Sequence, residues 1–181
     1  MFSLFQRAQT VSNYVLTLVM TMAAVISVSW LIQLHFSEHG SIPAHISVNK
    51  AVNTMKYSRN FGGRPNSGKE NVRLAFDVTT DLSSLFNWNT KQVFVYLVGE
   101  YPGKKDEVSK VVFWDKIIPT KEDSILELTD VRSKYSVWDY YPNLHNKTAT
   151  LKLEYNIQPH VGPLIWGTAD AFTQLQFPEI L

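Results

Sequence analysis

From Ala8 to Ser37 the chain carries no Asp, Glu, Lys or Arg. Within that run, Tyr14 to Leu34 is 21 residues, about 31 Å as an α-helix, which matches the hydrocarbon core of a bilayer. Tyr14 and Trp30 lie towards its two ends, where amphipathic rings favour the headgroup level. Two readings share the stretch. As a cleaved leader it has Arg7 as a basic flank, Tyr14 to Ile26 as an apolar region and Ser27-Val28-Ser29 as a small-x-small cleavage site. As a retained anchor it makes use of Trp30-Leu31-Ile32-Gln33-Leu34, which prolongs the apolar run where cleavage needs a polar segment. The anchor accounts for more of the residues. Arg7 and the α-amine on one flank, against Glu38 on the other, put the N-terminus in the cytosol. The expected layout is a cytosolic tail over 1–13, a transmembrane anchor over 14–34, a connector over 35–45 and a lumenal domain over 46–181.

That domain is long enough to build a core unaided, which it must do, because the chain has no cysteine. Seventeen Lys plus Arg against sixteen Asp plus Glu, with no like-charge run, leave no basic stripe for a nucleic acid. Beyond the connector the texture becomes period-two alternation broken by turn residues, as in strands. Strands are expected over Asn71 to Val78, Gln92 to Val98, Val108 to Ile118, Ser124 to Leu128, Ala149 to Ile157 and Thr173 to Phe177. Tyr101 to Glu107 is turn chemistry that joins the second and third as a hairpin, and Asp81 to Phe86 reads as one helical turn capped by Asp81. Several short strands of this kind predict a mainly β protein, an antiparallel sandwich behind one helix. Arg59 to Glu70, rich in Gly and polar residues, is the most mobile-looking connection.

Some motifs imitate catalytic sites. His35-Phe36-Ser37-Glu38-His39 spells H-x-x-E-H, which on a helix places two histidines on one face for zinc. Gly40 and Pro43 break that helix within a turn, and no following helix offers a third ligand. Gly63 to Glu70 is one residue from a P-loop, but Glu70 stands where Ser or Thr would hold magnesium, and a strand follows in place of a helix. No G-x-S-x-G elbow occurs, and His45, His145 and His160 are scattered. Asp77 and Asp81 could pair as carboxylates, although strand-end aspartates usually cap turns. No catalytic, metal or cofactor site is expected. Asn146-Lys147-Thr148 is the one N-x-S/T sequon, just before a strong strand, and glycosylation there requires a lumenal domain.

Phe76 to Tyr101, FDVTTDLSSLFNWNTKQVFVYLVGEY, resembles subunit 3 of the eukaryotic signal peptidase complex, the 22/23 kDa subunit. The similarity continues through VVFWDKII (Val111 to Ile118), KYSVWD (Lys134 to Asp139), NKTATL (Asn146 to Leu151) and QPHVG (Gln158 to Gly162). The resemblance implies an uncleaved type II protein of the endoplasmic reticulum membrane with a lumenal β-sandwich. It further implies a non-catalytic role beside a separate serine-type catalytic subunit and other small membrane subunits, and it carries the glycosylation site onto Asn146. The hairpin Gln92 to Ile118 is apolar on both faces, Val93, Val95 and Leu97 against Phe94, Tyr96 and Val98. One face fills the sandwich; the other is covered by the domain's own loops or buried against a partner, with Tyr96 and Trp114 as the candidate interface residues. Other readings are a secreted or membrane-tethered β-sandwich that binds protein or carbohydrate, and a tethered zinc enzyme at His35 and His39.

Overall fold

A computed structural model of the chain describes residues 3–36, 42–103, 107–140 and 144–180. Helix α1 runs over Leu4–Phe36, about 50 Å at 1.5 Å per residue. It begins ten residues before the expected span, and its start is a capping box. The Ser3 hydroxyl accepts from Gln6 N at 3.2 Å, and the Gln6 side chain accepts from Ser3 N at 3.4 Å. Apolar side chains point outwards all round most of its length, Leu16, Met20, Val25 and Val28 among them, so the helix is long and apolar enough to cross a membrane.

The described strands form two antiparallel sheets. β1 (Ala44–Lys56), β2 (Lys69–Asp81) and β5 (Ile125–Arg132) make a three-stranded sheet in the order β1-β2-β5. β3 (Thr90–Pro102), β4 (Val108–Ile118), β6 (Thr148–Pro159) and β7 (Ile165–Gln176) make the other, in the order β4-β3-β6-β7. The expected hairpin is present, with Val93 opposite Ile118 and Pro102 opposite Val108. Alternation decides which side chains meet between the sheets: Val72, Leu74, Phe76 and Val78 from β2 face Val93, Val95 and Leu97 from β3, and all are buried.

Both long sides of the sandwich are stitched. On one, Asp170 N donates to the Ile42 carbonyl at 3.0 Å and the Thr173 hydroxyl to that of Ile46 at 2.6 Å, which joins β7 to β1. On the other, the chain leaving β5 pairs Val137 with Val72, and Tyr135 N donates to the Phe113 carbonyl at 3.1 Å. These bonds cover part of the sheet edges at β1, β4 and β7.

The alternation misses β1 because a bulge between Val48 and Lys50 changes which parity faces in. Ile46 is buried before the bulge and Asn53 after it. β7 starts at Ile165, well ahead of Thr173, because an irregularity opposite Lys152 and Glu154 accommodates the small residues in its middle. Between Arg59 and Glu70 the chain is more organised than its composition predicts. A 3-10 turn at Arg59–Phe61 ends on Gly62 in the left-handed region, and Arg64 and Ser67 exchange backbone hydrogen bonds. The connector residues 37–41, His39 included, and turn residues 104–106 lie outside the described residues.

Candidate interaction surface

β3 is the central positioner. Its outward side chains line up across the four-stranded sheet in rows that the register fixes. One row runs Ile117, Phe94, Asn156, Trp166; the next Asp115, Tyr96, Glu154, Thr168; the next Val112, Val98, Lys152, Phe172. Apolar rows thus flank a polar one. Phe94 stacks on Tyr96 with ring centroids 5.3 Å apart, while Ile117, Trp166 and Phe172 are largely exposed. Beside them runs a chain of ion pairs: Lys110 to Glu154 at 2.6 Å, Lys110 to Glu100 at 3.8 Å and Lys152 to Glu100 at 2.5 Å. Partial burial, and then the Glu154 carboxylate, push the Tyr96 hydroxyl above its ordinary pKa, so it stays a donor.

Of the two aromatic candidates, only Tyr96 belongs to this outer face. Trp114 stands opposite Leu97, turns inward at 5 % exposure and meets the Phe76 ring edge-on at 6.0 Å. Its contact with the surface is the Lys134 ammonium, 6.0 Å over its ring.

A second surface lies where α1 meets the sandwich, with Trp30 at its centre. The ring expected at the headgroup level is turned away from lipid and fully buried against the domain. Its indole nitrogen donates to the Asn87 amide oxygen at 3.1 Å, and Trp88 returns a bond from its own indole to Gln33 at 2.6 Å. Ala23, Ile26, Ser27, Trp30 and Leu34 form the less exposed stripe of the helix, at the spacing of one helical face. Gly162 comes close to that stripe. A Cβ there would lie 3.4 Å from the Ser27 hydroxyl and 3.5 Å from the Trp30 ring, and its φ of 134° suits glycine alone. Asn89 ties the two loops together, donating to the Val161 carbonyl at 2.8 Å and accepting from Val161 N at 3.2 Å.

The sequon occupies the opposite end. Asn146 is exposed with φ of 63°, in the turn that opens β6. Glu70, 2 % exposed, holds that turn. One carboxylate oxygen accepts from Leu144 N (2.8 Å), His145 N (2.7 Å) and the Asn53 amide (2.9 Å), while the other meets His145 Nδ1 at 2.6 Å. Burial alone would raise the Glu70 pKa, but these four hydrogen bonds together outweigh it and hold the carboxyl below its ordinary value.

The catalytic look-alikes resolve into structural roles. Asp77 accepts from Asp130 N and the Asn49 amide, both at 2.7 Å, and Asp81 from Ser83 N at 2.8 Å, so each organises a turn. In the P-loop-like stretch, Lys69 donates to the carbonyls of Asp139 and Tyr140, and Glu70 is committed as above. His45 and His160 are exposed at separate points, and among the described residues no group of His, Asp and Glu is arranged to hold a metal.

Comparison with known proteins decides what kind of chain bears these surfaces. The profile of a family described as signal peptidase subunit matches residues 1–180. The chain belongs to that family. Several proteins named signal peptidase complex subunit 3 are similar to it along more than nine-tenths of their length. The one from Debaryomyces hansenii is 47 % identical over 99 % of this chain and 95 % of its own. That from Saccharomyces cerevisiae is 44 % identical, covering 92 % and 91 %, and that from Gallus gallus 33 %, covering 93 % and 92 %.

For a signal peptidase subunit the informative geometry is therefore that of contact. The joint between α1 and the loops at Asn87 and Gly162 is absent from the reading of the sequence. Its one visible sign is the aromatic Trp88 inside an otherwise polar Asn87-Trp88-Asn89 loop. The Glu70 pin is likewise absent, because its partners come from two segments distant in sequence, β1 and the turn before β6.

Proposed function

We propose that this chain is a non-catalytic, accessory subunit of the signal peptidase complex in the endoplasmic reticulum membrane. It supports assembly and activity of the serine-type catalytic subunit that removes signal peptides from nascent secretory proteins. The observation that carries this reading is the near full-length match to proteins named as that subunit. Helix α1, which contains the expected span 14–34, crosses the bilayer with the N-terminus in the cytosol, and the sandwich is lumenal. The anchor is retained. Cleavage at Ser27-Val28-Ser29 would cut α1 in the middle of the turns that pack on the domain. A secreted binding module is not favoured, since it would have to discard most of a helix that the family profile includes.

Asn146 carries the glycan in this reading. Its exposure supports that, as does its place at the end of β6 remote from α1, roughly 36 Å along a 12-residue strand. The face around Tyr96 docks the catalytic subunit, with Trp114 supporting the same hairpin from inside. Interfaces favour such a mixture of exposed aromatic anchors and a polar surround. A shared membrane raises the partners' effective concentration, so a modest contact area suffices.

The test is affinity capture in mild detergent through an N-terminal tag, with mass spectrometry and a pre-protein cleavage assay on the eluate. Full-length chain together with a serine-type membrane peptidase and its activity is the expected result. A short N-terminal fragment alone, without peptidase, would overturn both anchor and role.

A further inference from the structure

The two loops against α1, residues 82–90 and 160–166, differ from the rest of the surface. No Asp, Glu, Lys or Arg occurs between Asp81 and Lys91, nor between Glu154 and Asp170. Yet these loops expose Trp88 at 59 % and Leu164 at 47 %, and Trp166 beside them is 64 % exposed. The other end of the sandwich carries Arg59, Arg64, Lys69 and Glu107 in its connections. At the near end the charges fall on the β4–β5 connection, Lys121, Glu122 and Asp123, which borders the 82–90 loop through Leu82 N on the Ser124 carbonyl at 3.1 Å.

Their height along the helix is fixed by contacts. Gly162 lies level with Ser27 and Trp30, Asn87 with Trp30 and Trp88 with Gln33. Trp166 shares a hollow with Leu31, Leu34 and His35. The inference rests on the reading of α1 as a membrane span, and Arg7 then sets a limit. Its charge stays out of the hydrocarbon, so a layer about 30 Å thick, some 20 residues of helix, reaches at least from Arg7 to Ser27. The headgroup region adds roughly 5–7 Å on each side, another four residues or so, up to about Leu31. Even in the shallowest placement that Arg7 allows, Gly162 and Asn87 lie within the headgroup layer. Placing the hydrocarbon over Tyr14 to Leu34 would sink their irregular backbone into it. The joint therefore selects the shallower placement, with the hydrocarbon ending near Ser27 and Trp88 and Trp166 at the outer margin of the headgroups. Irregular backbone is not exposed to lipid tails, and the bonds of Asn89 to Val161, with His160 N on the Asn89 carbonyl at 2.8 Å, satisfy part of it internally. The boundary layer suits both the indoles and the backbone.

We infer that the helix-proximal end of the sandwich is a second, monotopic membrane contact, with Trp88, Leu164 and Trp166 inserted into the headgroup boundary of a phospholipid surface. The occupant of the patch is lipid, because the patch continues the surface of the span, lacks charge and lies at lipid depth. It seats the domain on the bilayer instead of leaving it above.

The absence of native cysteine makes the test direct. Full-length Leu164→Cys, Val108→Cys and Val19→Cys chains are labelled with an environment-sensitive fluorophore, reconstituted in phosphatidylcholine vesicles, and challenged with nitroxide lipids of shallow or deep placement. All three positions are exposed. The expected result is at least twofold quenching of the Leu164 site by shallow nitroxides, quenching of the Val19 site by deep ones, and none at Val108. Quenching at Val19 with none at Leu164 overturns the proposal while leaving the span intact. A Leu164 site that ignores lipid but loses water contact on assembly of the complex also overturns it, and gives the patch to a protein. Silence at both Val19 and Leu164 removes the span and the proposal together.

Discussion

Glu70 has both oxygens occupied by donors from β1 and from the turn before β6, so an isosteric amide is enough to test it. Glu70→Gln keeps the shape and an oxygen for the backbone N–H groups, but gives up the charge that strengthens those bonds and sets an amide donor against His145 Nδ1. The expected loss is about 1–3 kcal/mol, measured by denaturant unfolding of the detergent-solubilised chain. Because the folded-state pKa lies below the ordinary 4.5, the carboxylate's contribution is fully present above that value and drains away as pH falls through the lower folded one. Glu70→Gln should therefore flatten the acid side of the stability profile and leave its neutral side parallel to the parent. The hairpin aromatics divide similarly. Trp114→Asp puts a charge against Phe76 in the core and should unfold the domain, as near-ultraviolet circular dichroism would register. Tyr96→Asp, on the outer face, should keep that spectrum and lose peptidase partners on affinity capture.

Between α1 and the sandwich, the joint predicts a coupled effect. Trp30→Ala removes a fully buried indole and its bond to Asn87, a change that costs about 3–5 kcal/mol in a packed core. The melting temperature should fall, and the distance distribution between spin labels at Val19 and Val108 should broaden as the helix swings free. A melt unchanged from the parent, with a narrow distribution, would show that the joint carries no load. Helix, hairpin and most strands were legible because alternation and apolar length are local properties. β2, β3 and β6 each hold one face inward over many residues, and β4 is apolar enough to show as a strand although its inward parity switches at Phe113 and Trp114. β1 was not, since the bulge after Val48 and the buried Asn53 spoil its period. The candidate surface was half legible. Two apolar faces on one hairpin announced that something must cover the second, but inward or outward aim at Trp114 depends on a bulge between Leu97 and Val98 in its pairing.

The molecule as a whole sets the sequon turn and the helix joint far apart, with the outer sheet face reaching the helix end at Trp166. The outer face of the four-stranded sheet is directed sideways, the sequon turn stands at one end of the strands and the helix joint at the other. A glycan on Asn146 would therefore obstruct neither contact. Expressed in a eukaryotic secretory system, the chain should show a glycosidase-sensitive gel shift that Asn146→Gln abolishes while partner capture persists. An unshifted chain would place the domain in the cytosol or leave the sequon unused, and a protease-protection assay tells these apart.

Gly162 packs on α1 beside Ser27, and Trp30 and Gln33 are bonded to Asn87 and Trp88, so while that joint holds, a tilt of the helix carries the sandwich with it. Helices tilt to match the thickness of the bilayer around them. With strands of 12 or 13 residues, roughly 40 Å long, each 10° of tilt would carry the far end of the sandwich about 7 Å sideways. Bilayer thickness becomes a mechanical input: a thinner membrane tips the outer sheet, and any subunit docked on it is aimed accordingly.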